Sequence, residues 1–338
     1  MIYISVAIFF AALSLLELLS NNRQTKQGLL LLAVVFLIAF TGLRSWGGTD
    51  LDNYRDYYIN LDDAKISYGF LYEMLNRFAL SLGLSFTEFL ILIAVIVIPS
   101  QIYFFYKTCA FPVTALFVFY ILNFIWLDHI LLRQSIASVF VLSGVWLLLR
   151  QRKMLSVTSF VVAGFFHASA LIAAMSWVAM MARQPYKILV AVLVIALSLA
   201  FFHLPVDWSE FIPGLSPNIG RYLVESESVG ISNVLETAAA IILFQKGRSQ
   251  YSDQEIIWYS AMLWSSVVIV VLSFDVAPAA RFLEYARLFF VVIFVRYIQS
   301  NSPTLRPLVA MPIYVYGLAK IYHFCVTFDG GAAFNAYL

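Results

Sequence analysis

The chain has 338 residues, of which 62% are hydrophobic and only 12% are charged, whereas soluble domains carry roughly 25% charged residues. A water-soluble fold of this composition would expose large apolar patches and aggregate, so the composition excludes a soluble globular protein and indicates one that faces lipid. The net charge of +2 points to no particular partner, and we expect no nucleic-acid partner.

Apolar stretches long enough to cross a membrane follow one another along the chain. A hydrocarbon core needs about 20 helical residues per span, which leaves room for about 10–12 spans and no separate soluble domain. The predicted spans are 2–19, 28–43, 88–107, 111–128, 131–149, 154–166, 168–182, 187–203, 232–245, 255–274, 281–299 and 307–326. We therefore predict an all-α, polytopic integral membrane protein that forms a single membrane domain over residues 1–338.

The basic residues are sorted between the two sides of the membrane. Twelve of the 21 Lys and Arg residues fall in alternate short connectors, which carry only two acids, Asp253 and Glu255. These twelve are Arg23, Lys26, Lys107, Arg150, Arg152, Lys153, Arg183, Lys187, Lys246, Arg248, Arg296 and Arg306. By the positive-inside rule, these connectors face the cytoplasm and both chain termini face outward.

Two long connections, residues 44–87 and 204–231, then lie on the outward side. The first is acidic and contains the stretch YGFLYEMLNRFALSLGL, whose apolar residues recur at helical spacing and predict an amphipathic helix lying on the membrane. The second is rich in Pro, Gly and Ser. Long loops on one face of a protein commonly carry function.

Polar residues at the outward ends of the spans mark a candidate site, because ionisable groups near lipid are costly. They are Arg44 after the second span, Arg133 and Gln134 in the fifth, His167 between the sixth and seventh, and Arg281 and Tyr285 in the eleventh. The sixth and seventh spans are short, which favours a re-entrant pair. Several guanidinium groups at one site imply an anion such as a diphosphate. Each Arg alone could equally snorkel to the interface, and His167 alone could be a packed core residue.

Four stretches resemble one known family. The first, FTGLRSWGGTDLDNYRDYY, ends the second span; the others are LLRQSIASVFVLSG, GFFHASALI and ARFLEY, in that order along the chain. Together they resemble the EpsG-like family of bacterial polysaccharide polymerases, akin to the Wzy-type O-antigen polymerases. The positions that match the first signature are Gly42, Leu43, Arg44, Gly48, Thr49, Asp50, Asn53 and Tyr54.

The resemblance implies a fold and a reaction. Such proteins are membrane glycosyltransferases of GT-C-like type that join oligosaccharide repeat units carried on undecaprenyl diphosphate, making O-antigen or exopolysaccharide. Donor and acceptor would both be lipid-linked, and neither a nucleotide sugar, a metal nor another cofactor is expected. The protein would lie in the bacterial inner membrane with its active site facing the periplasm or the outside. Whether a chain-length regulator also binds is left open.

In the implied reaction a lipid diphosphate leaves, and negative charge builds up on a phosphate oxygen. Preorganised cations stabilise such charge. Our candidates for binding the diphosphate are Arg44, Arg133, Arg281 and, from the second long loop, Arg221.

The acceptor is a sugar hydroxyl, which needs a base. The candidates are His167, an imidazole able to exchange a proton near neutral pH, and Asp50, and the sequence leaves the choice between them open. The candidates for hydrogen bonding to phosphate or sugar are Tyr54, Gln134 and Tyr285.

Two alternatives remain at this point. An O-antigen ligase would use the same lipid-linked donor and differ only in its acceptor. A non-enzymatic transporter or flippase of lipid-linked sugars would instead need charged residues spread through the middle of the bundle and broken helices in paired positions. The predicted spans 28–43, 187–203 and 255–274 have no charged residue near their middles, which favours chemistry at the outward surface.

Overall fold

The computed structural model describes residues 2–46, 48–63, 68–171, 173, 231–272 and 279–327. Of these residues 88% are helical, and none of them lies in a β-strand. The α-helices described are α1 (Ile2–Leu19), α2 (Arg23–Gly42), α3 (Gly48–Ile59), α4 (Phe70–Ser81), α5 (Phe86–Thr108), α6 (Pro112–Phe119), α7 (Leu132–Leu149), α8 (Lys153–Phe166), α9 (Ile231–Lys246), α10 (Asp253–Leu272), α11 (Ala279–Gln299) and α12 (Arg306–Thr327).

Within the described ranges, seven stretches are long and apolar enough to cross a membrane: α1, α2, α5, α6 with its continuation to Ile130, α7, α10 and α12. The helix α8 is apolar but shorter. The predicted fold class, an all-α polytopic membrane protein, is confirmed. The predicted span 187–203, residues 204–230 of the second long loop and most of the span 168–182 lie outside the described residues.

Two compact units make up the chain. Unit 1 comprises Met1–Leu171 and Val291–Leu338, and unit 2 comprises Ile172–Phe290. Helices α1 to α8 and α12 belong to unit 1. In unit 2, α9 packs against α10, and the indole of Trp258 lies edge-on to Phe289 with 4.3 Å between ring centroids. The single membrane domain expected from the sequence stays a prediction.

Successive helices of unit 1 run back and forth between two ends. At one end, which we call the basic end, the connectors before α2, α6 and α12 meet: Lys26 and Arg306 lie over the ring of Phe111, 4.7 and 5.0 Å from its centroid. The helix α5 also ends there, at Thr108, shortly before Phe111. The helix α7 ends beside it, because Leu147 near its end lines one groove with Lys107 of α5. The end of α2, the start of α7 and the end of α8 form the opposite end, which carries most of the candidate residues.

The helix α6 continues without a break as a π-helix over Tyr120–Ile130. The backbone N–H of Leu131 donates to Trp126 O at 2.9 Å, an i to i−5 hydrogen bond that closes the segment. Such wider turns are rare and frequently occur at functional sites. Here the segment buries three polar side chains, Asn123, Asp128 and His129, and the last two lie at the opposite end of unit 1.

A buried acid fixes the start of α6. Glu17 of α1 accepts hydrogen bonds from the backbone N–H groups of Val113 and Thr114, at 3.0 and 2.8 Å, and from the Thr114 hydroxyl at 2.9 Å. Pro112 occupies the first turn, where its missing N–H costs nothing. A carboxylate in this place satisfies N–H groups that a helix start leaves without a partner and complements the helix dipole.

Gly42 lets α2 and α5 approach closely. A methyl group at this position would lie 2.9 Å from the Cα of Ile91, and a backbone atom cannot give way as a flexible side chain can. We expect Gly42→Ala to lower the free energy of unfolding by about 1–3 kcal/mol and to displace Arg44, two residues later. Thermal unfolding of the purified variant in detergent measures the effect.

Gly28 of the same helix provides the matched control. A methyl group there would meet nothing within 4 Å, so we expect Gly28→Ala to be neutral or to stabilise the protein by about 0.4–1 kcal/mol. Equal unfolding temperatures for the two variants would contradict the proposed close approach at Gly42.

Candidate functional site

The helices α3 and α4 pack their tyrosines onto the start of α5 and α7. Tyr54, Tyr57 and Tyr72 are buried there in one apolar cluster. The helix α4 begins after Gly69, whose φ of +107° lies in the region that favours glycine. A Cβ at Gly69 would lie 3.3 Å from the carbonyl oxygen of Phe165. The start of α4 therefore lies against the last turn of α8, just before His167, the residue that caps α8.

Arg133, at the start of α7, holds the segment between α3 and α4. Its Nη1 donates to Tyr68 O at 2.7 Å, and its guanidinium lies over the Tyr68 ring, 4.7 Å from the centroid. Its positive charge also acts on the phenol of Tyr54. Its buried Nε has no hydrogen-bond partner among the described residues. Arg133 is thus half-buried and bound within unit 1.

Tyr54 lies between charges of opposite sign. Burial raises the pKa of its phenol, the positive charge of Arg133 opposes this rise, and the negative charge of Asp50 adds to it. The phenol therefore stays protonated at neutral pH and can donate its hydrogen. Asp50 is half-buried in the first turn of α3, where the helix dipole favours a carboxylate.

His167 ends α8 in an extended conformation, with φ −155° and ψ 116°. Its Nδ1 lies 2.5 Å from the Ser169 hydroxyl, which sits in the following 3₁₀ turn Ala168–Leu171. Ser169 in turn accepts a hydrogen bond from Gln134 Nε2 at 3.3 Å. The buried Gln134 Oε1 has no hydrogen-bond partner within the described part of the chain. A chain of polar contacts thus leads from the start of α7 to the imidazole.

These contacts, together with the charges that act on Tyr54, associate five of the candidate residues at the opposite end of unit 1. Arg133 and Gln134 are neighbours in α7; the first connects to α3 and α4, and the second connects to the end of α8. We call the whole set the α7 N-terminal cluster, and its members are Asp50, Tyr54, Tyr68, Arg133, Gln134, His167 and Ser169. The cluster combines a guanidinium with a carboxylate and an imidazole.

Arg44 lies deeper, on another face of the start of α7. It is only 3% exposed, and its Nη1 donates to Thr41 O at 2.6 Å. With Asp128 and Ser135 it lines a cavity of about 10 Å³, which has room for about one water molecule. Its charge acts on Asp128 and on His129.

Asp128 is the centre of this second group. It accepts hydrogen bonds from the Ser135 hydroxyl and from Gln101 Nε2, the latter at 2.9 Å. Gln101 Nε2 also lies 2.8 Å from the Ser138 hydroxyl. The second oxygen of the Asp128 carboxylate has no hydrogen-bond partner among the described residues. We call Arg44, Gln101, Asp128, Ser135 and Ser138 the Arg44 group. Its member Ser135 follows directly after Arg133 and Gln134 of the α7 N-terminal cluster, so one short stretch of α7 connects the two groups.

The remaining candidates belong to unit 2 or lie outside the described residues. Arg281 is half-buried and Tyr285 is fully buried, one turn apart in α11. Arg221 lies outside the described residues. The diphosphate-binding role of both arginines and the substrate-binding role of Tyr285 stay predictions.

The structure also shows a buried ion network in unit 2 that the sequence analysis missed. Arg287 of α11 donates from Nε to Glu236 of α9 at 2.8 Å, from Nη2 to Asn233 at 2.6 Å, and from Nη1 to Glu284. Glu284 and Arg287 are three residues apart, a spacing that favours an ion pair on a helix. That spacing was the available signal, whereas Glu236 is 51 residues away and could not be paired from sequence.

The sequence analysis also gave no role to several polar residues of unit 1. Ser169, within the quoted stretch GFFHASALI, contacts His167 and Gln134; Tyr68 contacts Arg133, and Gln101 contacts Asp128. Lys320, inside the span α12, donates from Nζ to the carbonyl oxygen of Leu122 in the π-helix at 2.9 Å. A polar or charged residue inside an apolar span is itself a signal for a site, and it could have singled out Gln101 and Lys320.

Comparison with known proteins identifies the family of the chain. The model of the EpsG family matches residues 27–337, which is nearly the whole length. Neither a curated protein nor a solved structure matches. The matched range includes every residue of the α7 N-terminal cluster and of the Arg44 group. This chain belongs to the EpsG family and is a multi-pass membrane protein of polysaccharide biosynthesis.

Proposed function

We propose that the protein is a glycosyltransferase that polymerises oligosaccharide repeat units carried on undecaprenyl diphosphate, in the inner membrane of a bacterium. The observation that carries this proposal is the α7 N-terminal cluster. Arg133 and its neighbour Gln134 connect there to the imidazole of His167 through Ser169, and the charges of Arg133 and Asp50 both act on Tyr54. The cluster lies at the end of unit 1 that is opposite the basic end. By the positive-inside rule the basic end faces the cytoplasm, so we propose that the reaction takes place at the periplasmic or outer face.

The proposed reaction exchanges one bond at the anomeric carbon of the growing chain. The bond from this carbon to the phosphate oxygen breaks, and the diphosphate leaves with the electron pair. A hydroxyl of the incoming unit attacks the same carbon and gives its proton to His167 or Asp50. Arg133 stabilises the charge that develops on the departing diphosphate, and Ser169 holds the His167 ring in one orientation.

The test uses the purified protein in proteoliposomes with lipid-linked repeat units, followed by mass spectrometry of the products. We expect the wild-type protein to make chains of several units and to release undecaprenyl diphosphate. His167→Ala should lower the rate of chain extension by about 100- to 10,000-fold, the usual contribution of a general base. His323→Ala in α12 is the matched control, because His323 is exposed; it should extend chains at the wild-type rate.

The products separate this proposal from its alternatives. Transfer of a finished chain to a different acceptor, with no growth on undecaprenyl diphosphate, would identify a ligase. Unchanged repeat units in the other leaflet would identify a flippase. Chain extension at the wild-type rate by both His167→Ala and Arg281→Ala would show that the site is assigned to the wrong residues.

A further inference from the structure

A groove runs between α5 and α7 where both helices approach the basic end. Its volume is about 270 Å³, close to the lower limit of ligand pockets, which span about 300–1,000 Å³. The residues that line it are Ser100, Tyr103, Phe104, Lys107, Leu142, Ser143, Trp146 and Leu147. Both helices are of membrane-spanning length, so the groove lies on a surface that borders lipid.

The wall of the groove changes character along its length. Toward the middle of the two helices it is formed by apolar side chains and two hydroxyl groups. Toward the basic end it is formed by the rings of Tyr103 and Trp146, the first of which is 58% exposed. Amphipathic rings of this kind prefer the boundary between hydrocarbon and headgroups. The mouth of the groove therefore lies at the depth of lipid phosphates.

Two cations are held at this mouth. Lys107, in the last turn of α5, has its Nζ 5.2 Å from the centroid of the Tyr103 ring. The Arg150 guanidinium, at the end of α7, lies 4.1 Å from the centroid of the Trp146 ring. The rings orient the cations without neutralising them. Neither the stretch 103–111 nor the stretch 146–156 contains an acid, so no carboxylate close to them in the sequence competes for them.

We infer that this groove binds an anionic phospholipid, with part of one acyl chain between α5 and α7 and the headgroup phosphate at Lys107 and Arg150. The charge of the mouth selects an anion, and the apolar wall requires that the anion carry a hydrocarbon chain. The groove lies at the basic end, away from the α7 N-terminal cluster, so this lipid is distinct from the proposed lipid-linked substrate. A basic residue near an anionic membrane surface contributes about 1 kcal/mol to binding, so two of them predict a preference of about 10- to 30-fold.

Native mass spectrometry of the full chain in detergent tests the inference by titration with phosphatidylglycerol and with phosphatidylcholine of the same acyl chains. We expect the wild-type protein to prefer phosphatidylglycerol by about 10- to 30-fold. Lys107→Gln with Arg150→Gln should remove the preference. The matched control, Arg23→Gln with Arg152→Gln, removes two exposed cations that, among the contacts of the described residues, lie over neither Tyr103 nor Trp146, and it should retain the preference.

Two further measurements separate the groove from general attraction between charges. Ser143→Phe fills the groove without changing the charge, so it should weaken the binding of both lipids. It also tests the groove if the double variant Lys107→Gln with Arg150→Gln does not fold. Glycerol phosphate, which has the headgroup charge but no acyl chain, should not displace the bound lipid. Equal loss of preference in the control variant, unchanged binding in Ser143→Phe, or displacement by glycerol phosphate would each overturn the inference.

Discussion

Arg133→Ala is expected to reduce chain extension by about 100- to 1,000-fold, the usual cost of removing one preorganised donor from a site where negative charge develops. The guanidinium is held by its hydrogen bond to Tyr68 O and by the Tyr68 ring beneath it, so it needs little reorganisation when the diphosphate leaves. Its Nε is buried and has no hydrogen-bond partner among the described residues, so the protein does not use the whole hydrogen-bonding capacity of this guanidinium. The rate of extension in proteoliposomes, at saturating and at limiting lipid-linked substrate, measures the loss.

A conservative variant separates charge from geometry. Arg133→Lys keeps the positive charge but loses the planar fork that donates in two directions, so we expect it to recover only a small part of the rate. Arg77→Ala is the matched control from the neighbouring helix α4: this Arg is about half exposed and forms ion pairs with Asp62 and Glu73. Exposed pairs contribute about 0–1 kcal/mol, and this variant should extend chains at nearly the wild-type rate.

Loss of the fold would also lower the rate, so stability is measured on the same preparations. If Arg133 acts on the diphosphate, Arg133→Lys should unfold close to the wild-type temperature while its rate stays low. An unfolding temperature that falls in proportion to the rate would show that Arg133 only ties α7 to α3 and α4. Chain extension at the wild-type rate by Arg133→Ala would remove it from the site altogether.

The membrane spans were predictable from the sequence because the outer surface of the protein faces the hydrocarbon core of the membrane. Its thickness fixes the length of a helix, and few residues in a span can be charged, so composition alone identifies stretches such as 2–19 and 88–107. The π-helix was not predictable, since its sequence, YILNFIWLDHI, is as apolar as a regular span. The wider turns of the π-helix depend on how the neighbouring helices pack against it, and a hydropathy pattern contains no information about that packing.

The candidate site shows the same division. The sequence predicts that Arg133 and His167 lie on the same side of the membrane, because each lies at the end of a span and successive spans alternate in direction. The contact between them through Gln134 and Ser169 depends on an extended residue at the end of α8 and on the 3₁₀ turn that follows. Glu17 is a further case, since its partners in α6 lie almost a hundred residues away. Neither relation has a spacing that sequence analysis can recognise.

Arg287→Met is expected to cause the largest loss of stability. Arg287 is 5% exposed and contacts two carboxylates, those of Glu236 and Glu284, which are 2% and 7% exposed. Removing the cation leaves both acids buried without it, and breaking a buried ion pair in this way costs about 3–5 kcal/mol. Titration of the purified protein with SDS, followed by circular dichroism, measures the free energy of unfolding.

The exposed pair of Arg55 and Asp52 in α3 is the control. Their N–O distance is 3.5 Å and their side chains are 42% and 73% exposed, so Arg55→Met should change stability by less than about 1 kcal/mol. An equal loss in the two variants would mean that removal of any Arg destabilises the protein, and the buried network would have no special role.

A combined variant tests whether unpaired charge is the cause. Adding Glu236→Gln and Glu284→Gln to Arg287→Met replaces both carboxylates by neutral amides of nearly the same shape, and neutral replacements of a buried ion network are often tolerated. We expect the triple variant to recover most of the lost stability, although it carries more substitutions than the single variant. If the triple variant is no more stable than Arg287→Met, the loss arises from the packing of the Arg side chain and not from its charge. In either case the comparison measures how strongly α9 is held to α11, the helix that also carries Arg281 and Tyr285.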